Sequence, residues 1–160
     1  MTLQDQIQTA LTDAMRRQDA LRRDTLRMVS AALYNAQKAA RRPLTDDEQL
    51  AVLVREVKQR RESMDAYQAA GRPDLVAREQ AEATLIGEFM PQSLDDAELA
   101  ALVEAAITEA GATSARDLGR VMALLAPRTR GRADGRVVSG LVAQALARRD
   151  LVDHGHGGDA

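Results

Sequence analysis

The chain of 160 residues has no cysteine and no tryptophan, and its aromatics are only Tyr34, Tyr67 and Phe89. Without cysteine there is no disulfide, no thiol nucleophile and no thiolate metal site. With so few rings, the core must be built from Leu, Val, Ile, Met and Ala, the palette of packed helices. No uninterrupted apolar run approaches the ~20 residues that a membrane span needs. The opening residues "MTLQDQIQTA" lack the basic start and apolar stretch of a secretory signal. The expectation is a cytoplasmic protein that does not touch a membrane.

Catalytic groups are equally scarce. His154 and His156 are the two histidines, and both lie in the glycine-rich tail "DHGHGGDA". A metal site needs three or four preorganised ligands, which two residues on a tether do not supply. No G-x-x-x-x-G-K-[ST] loop is present, which excludes an ATP site of that type. The lysines, Lys38 and Lys58, fall on expected helices and neither has a serine nucleophile to activate. The residues therefore point to no catalytic centre, no metal and no cofactor.

What is there is helix and arginine. Hydroxyls precede carboxylates by three residues at Thr2/Asp5, Thr45/Glu48, Ser93/Asp96 and Ser114/Asp117. Each pair can satisfy amides that the first turn of a helix leaves free, Thr45/Glu48 best of them because glutamate reaches further than aspartate. Apolar residues recur at the helical period: Leu26, Val29 and Leu33; Leu50, Leu53, Val57 and Met64; Leu99, Val103 and Ile107; Leu118, Val121 and Leu125; Val138, Val142 and Ala145. No segment alternates with a period of two. Breaks are expected before Pro43, at Gly71 with Pro73 opening the next helix, at "FMPQS", at Gly111 and at Pro127. The expected fold is all-α with about seven helices. An N-terminal domain over 1–90 takes about four of them, a C-terminal domain over 94–149 takes three, and 150–160 forms a disordered tail.

The net charge is −2, so no global field favours nucleic acid. The positive charge is concentrated instead. Between two apolar stretches stands "RTRGRADGR", Arg128 to Arg136. From Arg116 to Arg136, the arginines Arg116, Arg120, Arg128, Arg130, Arg132 and Arg136 face only Asp117 and Asp134, a local +4. In one reading Arg128 and Arg130 complement the carbonyls that end the preceding helix. In the other, guanidiniums and free amides at a helix start cradle phosphate, with Asp134 as N-cap and Gly131 and Gly135 shaping the backbone. Gly119, inside a helix, costs about 1 kcal/mol relative to alanine. Close approach by another backbone would offset that. The C-terminal half has no aromatic, so RNA there would be held by its backbone and shape rather than by stacked bases.

Two further clusters carry charge. Arg16, Arg23 and Arg27 form a second basic patch if they share one face, for a partner protein or for RNA. Glu79 and Glu82 lie on the stripe of Leu75, Ile86 and Phe89, and carboxylates facing a core must pair, coordinate or neutralise. They are expected to pair with Arg23, Arg27 or Arg61, the other reading being half of a carboxylate metal site. Glu56/Arg60, Lys58/Glu62 and Arg61/Asp65 read as a solvated, salt-laced helix face.

The run "LGRVMALLAPRTRGRADGRVVSGLV" resembles the tail motif of the GatB/YqeY family, shared with the tail domain of the B subunit of the glutamine-dependent aspartyl/glutamyl-tRNA amidotransferase. "LRMVSAALYNAQ", "LTDDEQLAVLVREVKQRRESMDAY", "AGRPDLVAREQAE" and "FMPQSL" resemble the free-standing YqeY-type members, up to about Leu146. The sequence departs from the pattern at "YNAQ" and in its added "HGHGGDA" tail. The resemblance implies two helical domains and a tRNA-associated role. Gly119, Arg130, Gly131, Arg132, Asp134 and Gly135 carry over as tRNA contacts or their supports. An amidotransferase or an aminoacyl-tRNA synthetase is the partner it suggests, and carbon–nitrogen ligase activity with glutamine as amido donor is the activity attached to the family. The kinase-like domain and the amidase subunit that perform that chemistry have no counterpart in these residues, so a tRNA-binding accessory protein is the expectation. A protein-binding adaptor or accessory ligase subunit is the alternative.

Overall fold

The structure, a computed structural model, describes residues 1–155, and these are all-α. Seven α-helices are found among the described residues: α1 (Leu3–Arg16), α2 (Ala20–Ala40), α3 (Asp46–Ala69), α4 (Pro73–Gly87), α5 (Asp96–Ala110), α6 (Leu118–Thr129) and α7 (Gly135–Gly155). A single 3-10 turn, Ala115–Asp117, precedes α6. Residues group into two compact units, one running Met1–Pro91 and one beginning at Gln92.

In the first unit α1 packs on α2 and α3 on α4, with α2 also against α3 and α4. Its core is Ile7, Leu11, Leu26, Val29, Leu33, Val52, Leu53, Val57, Leu85 and Ile86. The buried Gln49 joins the start of α1 to the start of α3. Its side-chain oxygen accepts from the Gln4 amide at 2.9 Å and its side-chain nitrogen donates to the Leu44 carbonyl at 3.2 Å. In the second unit α5, α6 and α7 enclose a core that includes Val103, Ile107, Val121, Leu125, Val138, Val142 and Leu146. The helical periods read from the sequence supply most of both cores.

The reciprocal caps at Thr2/Asp5 and Thr45/Glu48 are present. The cap expected at Ser93/Asp96 is not. The Asp95 carboxylate instead accepts from the Glu98 amide at 2.7 Å, and Glu98 returns a carboxylate to the Asp95 amide at 3.0 Å. The helix starts two residues later than a Ser93 cap would place it, so Asp95 takes the N-cap, Glu98 the third position, and Asp96 becomes the first helical residue. The Ser114/Asp117 pair caps the 3-10 turn rather than α6 itself. Pro127 lies inside α6, not after it. A proline costs the helix one hydrogen bond, and the turn still closes through the Arg130 amide on the Ala126 carbonyl at 3.0 Å. The expected tail from residue 150 is helical as far as Gly155. No breaker stands between Asp150 and that glycine, and helix propagation is cheap once begun. The rest of the tail, with His156, lies outside the described residues, and His154 sits on α7 with its ring nitrogen 2.8 Å from the Asp150 carbonyl.

Candidate nucleic-acid interface

The segment between α6 and α7 is a defined bend. The Arg132 amide donates to the Thr129 carbonyl at 2.9 Å, Arg130 has φ −57 and ψ 126, and Gly131 has φ 73. Those angles make a type II turn with Gly131 at the position that needs positive φ. Arg132 then stitches the bend to the segment before α5. Its carbonyl accepts from the Leu94 amide at 2.9 Å, and its Nε donates to the Gln92 carbonyl at 3.1 Å. Below the turn Thr129 is buried, its hydroxyl donating to the Leu125 carbonyl at 3.1 Å. The bend is thus held by its own hydrogen bonds before any ligand arrives.

The six arginines divide. Arg120 pairs with Asp117 at 2.7 Å and Arg128 with Glu109 at 2.7 Å. The Thr113 amide, then Arg120 and the Ser114 amide, hold the Asp117 carboxyl down at about 2. Arg120 and Arg128 are therefore engaged inside the protein. Among the described residues no carboxylate lies within 4.0 Å of Arg116, Arg130, Arg132 or Arg136. Arg116 and Arg136 are exposed, Arg130 and Arg132 half-buried.

The glycines and the cap separate in the same way. Asp134 does cap α7, its carboxylate accepting from the Arg136 amide at 2.8 Å. That carboxylate occupies part of the helix start where free amides were expected to meet phosphate, so guanidiniums rather than amides are the donors left over. Gly135 is the first residue of α7, its φ is not positive, and a Cβ there would meet nothing within 4 Å. The special backbone expected of it belongs to Gly131 alone. A Cβ on Gly119 would likewise meet nothing within 4 Å, so nothing among the described residues explains that glycine.

The family model for Yqey-like proteins matches residues 4–146 of the chain. The chain belongs to the Yqey-like protein family. The match spans nearly all of the first unit and the second as far as Leu146, and includes the bend. Among relatives, the altered inheritance of mitochondria protein 41, mitochondrial, of Pyrenophora tritici-repentis (strain Pt-1C-BFP) is 27% identical over 146 residues. The alignment covers 89% of this chain and 80% of that protein. No helix among the described residues of this Yqey-like chain is long and apolar enough to cross a membrane.

In the first unit of this Yqey-like fold the expected patches are rearranged. Arg16 ends α1, whereas Arg23 and Arg27 belong to α2. The break at Gln18, with φ 57, and the N-cap at Asp19 turn the chain between them, so the three do not share a helix face. Arg23 is paired with Asp24 at 2.9 Å. Of the two acids, only Glu82 is buried, and Glu79 is half-buried. The partner of Glu82 is neither Arg23, Arg27 nor Arg61. It is Arg60, at 3.3 Å, with the more exposed Arg78 at 3.5 Å. Arg60 also donates to the Glu56 carboxylate at 2.6 Å and to the Glu56 carbonyl at 3.1 Å. Its side chain is only 7% exposed, that of Glu82 8% and that of Glu56 13%. Glu56/Arg60 is thus a buried ion cluster and not a solvated pair. The sequence carried the signal: Arg60 stands three residues after Val57 and seven after Leu53, on the apolar stripe. Lys58/Glu62 is the solvated pair expected, at 4.0 Å, while Arg61 and Asp65 make no ion pair within 4.0 Å. No group of three metal-ligating side chains sits together among the described residues, and Glu82 is taken up by arginines.

Proposed function

We propose that this protein binds structured RNA, tRNA by its family resemblance, through the bend between α6 and α7, and acts as an accessory rather than as a catalyst on its own. The observation that carries this reading is the set of three arginines, Arg130, Arg132 and Arg136, without carboxylate partners at a bend already fixed by Gly131 and Arg132; Arg116, also without one, stands at the far end of α6. Guanidiniums present planar, paired donors suited to phosphate oxygens, and a preformed bend loses little conformational freedom on binding. No aromatic lies beyond Phe89, so the contact is with backbone and shape. On this reading the compartment is one that holds tRNA, the cytoplasm being the expectation.

A second reading is an adaptor or an accessory subunit of a carbon–nitrogen ligase, with an amidotransferase or an aminoacyl-tRNA synthetase as partner. It is favoured by the last turns of α7, where Leu151 and Val152 are exposed as a protein-docking surface would be. Purification of the native protein from its own cells, with and without nuclease, separates the two. Bound tRNA that crosslinks to peptides containing Arg130 or Arg136 supports the first. A protein partner that stays after nuclease, with no RNA recovered, replaces it with the second.

A further inference from the structure

A different surface, on the first unit, combines positive charge with an aromatic ring. From Thr25 to Leu44 the chain has no acidic residue and carries Arg27, Lys38, Arg41 and Arg42. Arg42 is consumed, pairing with Glu48 through both terminal nitrogens at 2.8 Å. Arg27, Lys38 and Arg41 are exposed, and no carboxylate lies within 4.0 Å of them among the described residues. Asp24 feels Arg27 through space but is bonded to Arg23. Asp46 and Asp47 stand at the first turn of α3, and Glu48 is held by Arg42 and the Thr45 amide.

Between these cations stands Tyr34, 62% exposed. The other two rings are used by the fold: Phe89 packs against the core with Arg22 over its face, and Tyr67 is half-buried. Tyr34 lies outside the core of its unit, and its hydroxyl has no partner among the described residues. Arg27, Tyr34 and Lys38 fall within roughly 40° of one another around α2, and the stretch from Arg27 to Arg41 covers about 20 Å of helix. Tyr34, Gln37, Lys38, Arg41, Arg42 and Pro43 together line a shallow pocket of about 320 Å³. The helix dipole accounts for Lys38 and Arg41 near the C-terminus of α2. It does not account for Arg27 three turns earlier, nor for an exposed ring between them.

We infer that this face of α2 binds a single-stranded RNA segment, one unpaired base stacking on Tyr34 while Lys38, Arg41 and Arg27 meet the flanking phosphates. An aromatic set in a cationic track is how sequence-tolerant single-strand sites hold their ligand. The site complements the ring-free bend of the second unit and does not depend on it. A free nucleotide offers the same base and phosphate chemistry but reaches only the pocket, not Arg27.

The test is fluorescence anisotropy of the full chain with a labelled octanucleotide of RNA, across a salt series. The variants Tyr34→Ala, Tyr34→Phe and Lys38→Gln/Arg41→Gln all change exposed residues and leave the core untouched. Tyr34→Ala should weaken binding roughly 5- to 150-fold, as loss of one stacked base does, while Tyr34→Phe keeps wild-type affinity. The lysine–arginine double variant should flatten the log–log salt slope by about 1.4, at ~0.7 per phosphate bound on a single strand. Tyr34→Ala should leave the binding of a blunt RNA duplex, which offers phosphates but no unpaired base, unchanged, which separates this site from the bend. Wild-type affinity in Tyr34→Ala would overturn the inference. So would equal affinity for adenosine monophosphate, since the strand would then add nothing, or for an octaglutamate peptide, since base and ring would then play no part.

Discussion

Arg60→Met removes the one cation shared by two buried carboxylates. Arg60 donates to Glu82 at 3.3 Å and to Glu56 at 2.6 Å, and all three side chains are largely out of water. After the substitution Glu82 keeps only Arg78, at 3.5 Å and with a side chain 63% exposed. Such a solvent-screened pair is worth up to about 1 kcal/mol. Glu56 keeps no ion-pair partner. Removing one member of a buried pair costs about 3–5 kcal/mol because the remaining charge is uncompensated. For a chain of this size that corresponds to a fall of about 6–20 °C in Tm. Replacing the whole cluster, Arg60→Met with Glu56→Leu and Glu82→Leu, removes the stranded charges and should recover most of the loss, as apolar replacements of buried ion groups do. Urea unfolding followed by helical circular dichroism measures both. A single variant that loses less than about 1 kcal/mol, or a triple variant no more stable than the single one, would refute the assignment of these groups as a buried, mutually dependent cluster.

Acid should unfold the protein through two surface caps. Arg42 and the Thr45 amide hold Glu48 down from 4.5 to about 2, and the Thr113 amide with Arg120 holds Asp117 down from 3.8 to about 2. A carboxyl whose folded pKa is lowered contributes stability above its unfolded pKa and loses it as pH falls through the folded one. Tm should therefore decline between about pH 4.5 and 2, and Glu48→Gln should lower the neutral Tm while making that decline shallower. Thr25 has the one buried side-chain oxygen without a partner among the described residues. Thr25→Val should therefore raise stability by ~1 kcal/mol in urea unfolding. Gly131→Ala, forced to φ 73, should cost ~1–2 kcal/mol. Gly119→Ala has open space and should gain up to ~1 kcal/mol. If RNA approaches that face of α6, the same Gly119→Ala change should weaken tRNA binding although the protein is more stable. Calorimetry paired with a binding titration reads both effects.

The number and class of helices were legible because caps and apolar periods are local. Thr2, Thr45 and Val103 declare themselves within a few residues. Boundaries failed where two local rules competed, as at Ser93 against Asp95, or where a helix tolerated a proline, as at Pro127. The charged residues were less legible because pairing is a tertiary fact. Nothing within a few residues of Glu82 names Arg60, 22 positions away, and nothing near Arg128 names Glu109. The two helices that separate Arg16 from Arg23 and Arg27 turn at Gln18, a residue with no reputation as a breaker. At the bend, Gly131 was legible as a glycine with a conformational duty. Gly135, with the same spelling, was not distinguishable from it until φ was known.

The central claim is that the free guanidiniums of the bend meet RNA phosphates, and the salt dependence of tRNA binding tests it most directly. Arg130 and Arg136 are the residues to change, since Arg132 also holds the bend together. Arg130→Ala/Arg136→Ala should keep the wild-type Tm and flatten the log–log salt slope by about 2, roughly one unit for each phosphate no longer neutralised. A double variant that binds tRNA with the wild-type slope and affinity at every salt concentration would contradict the account.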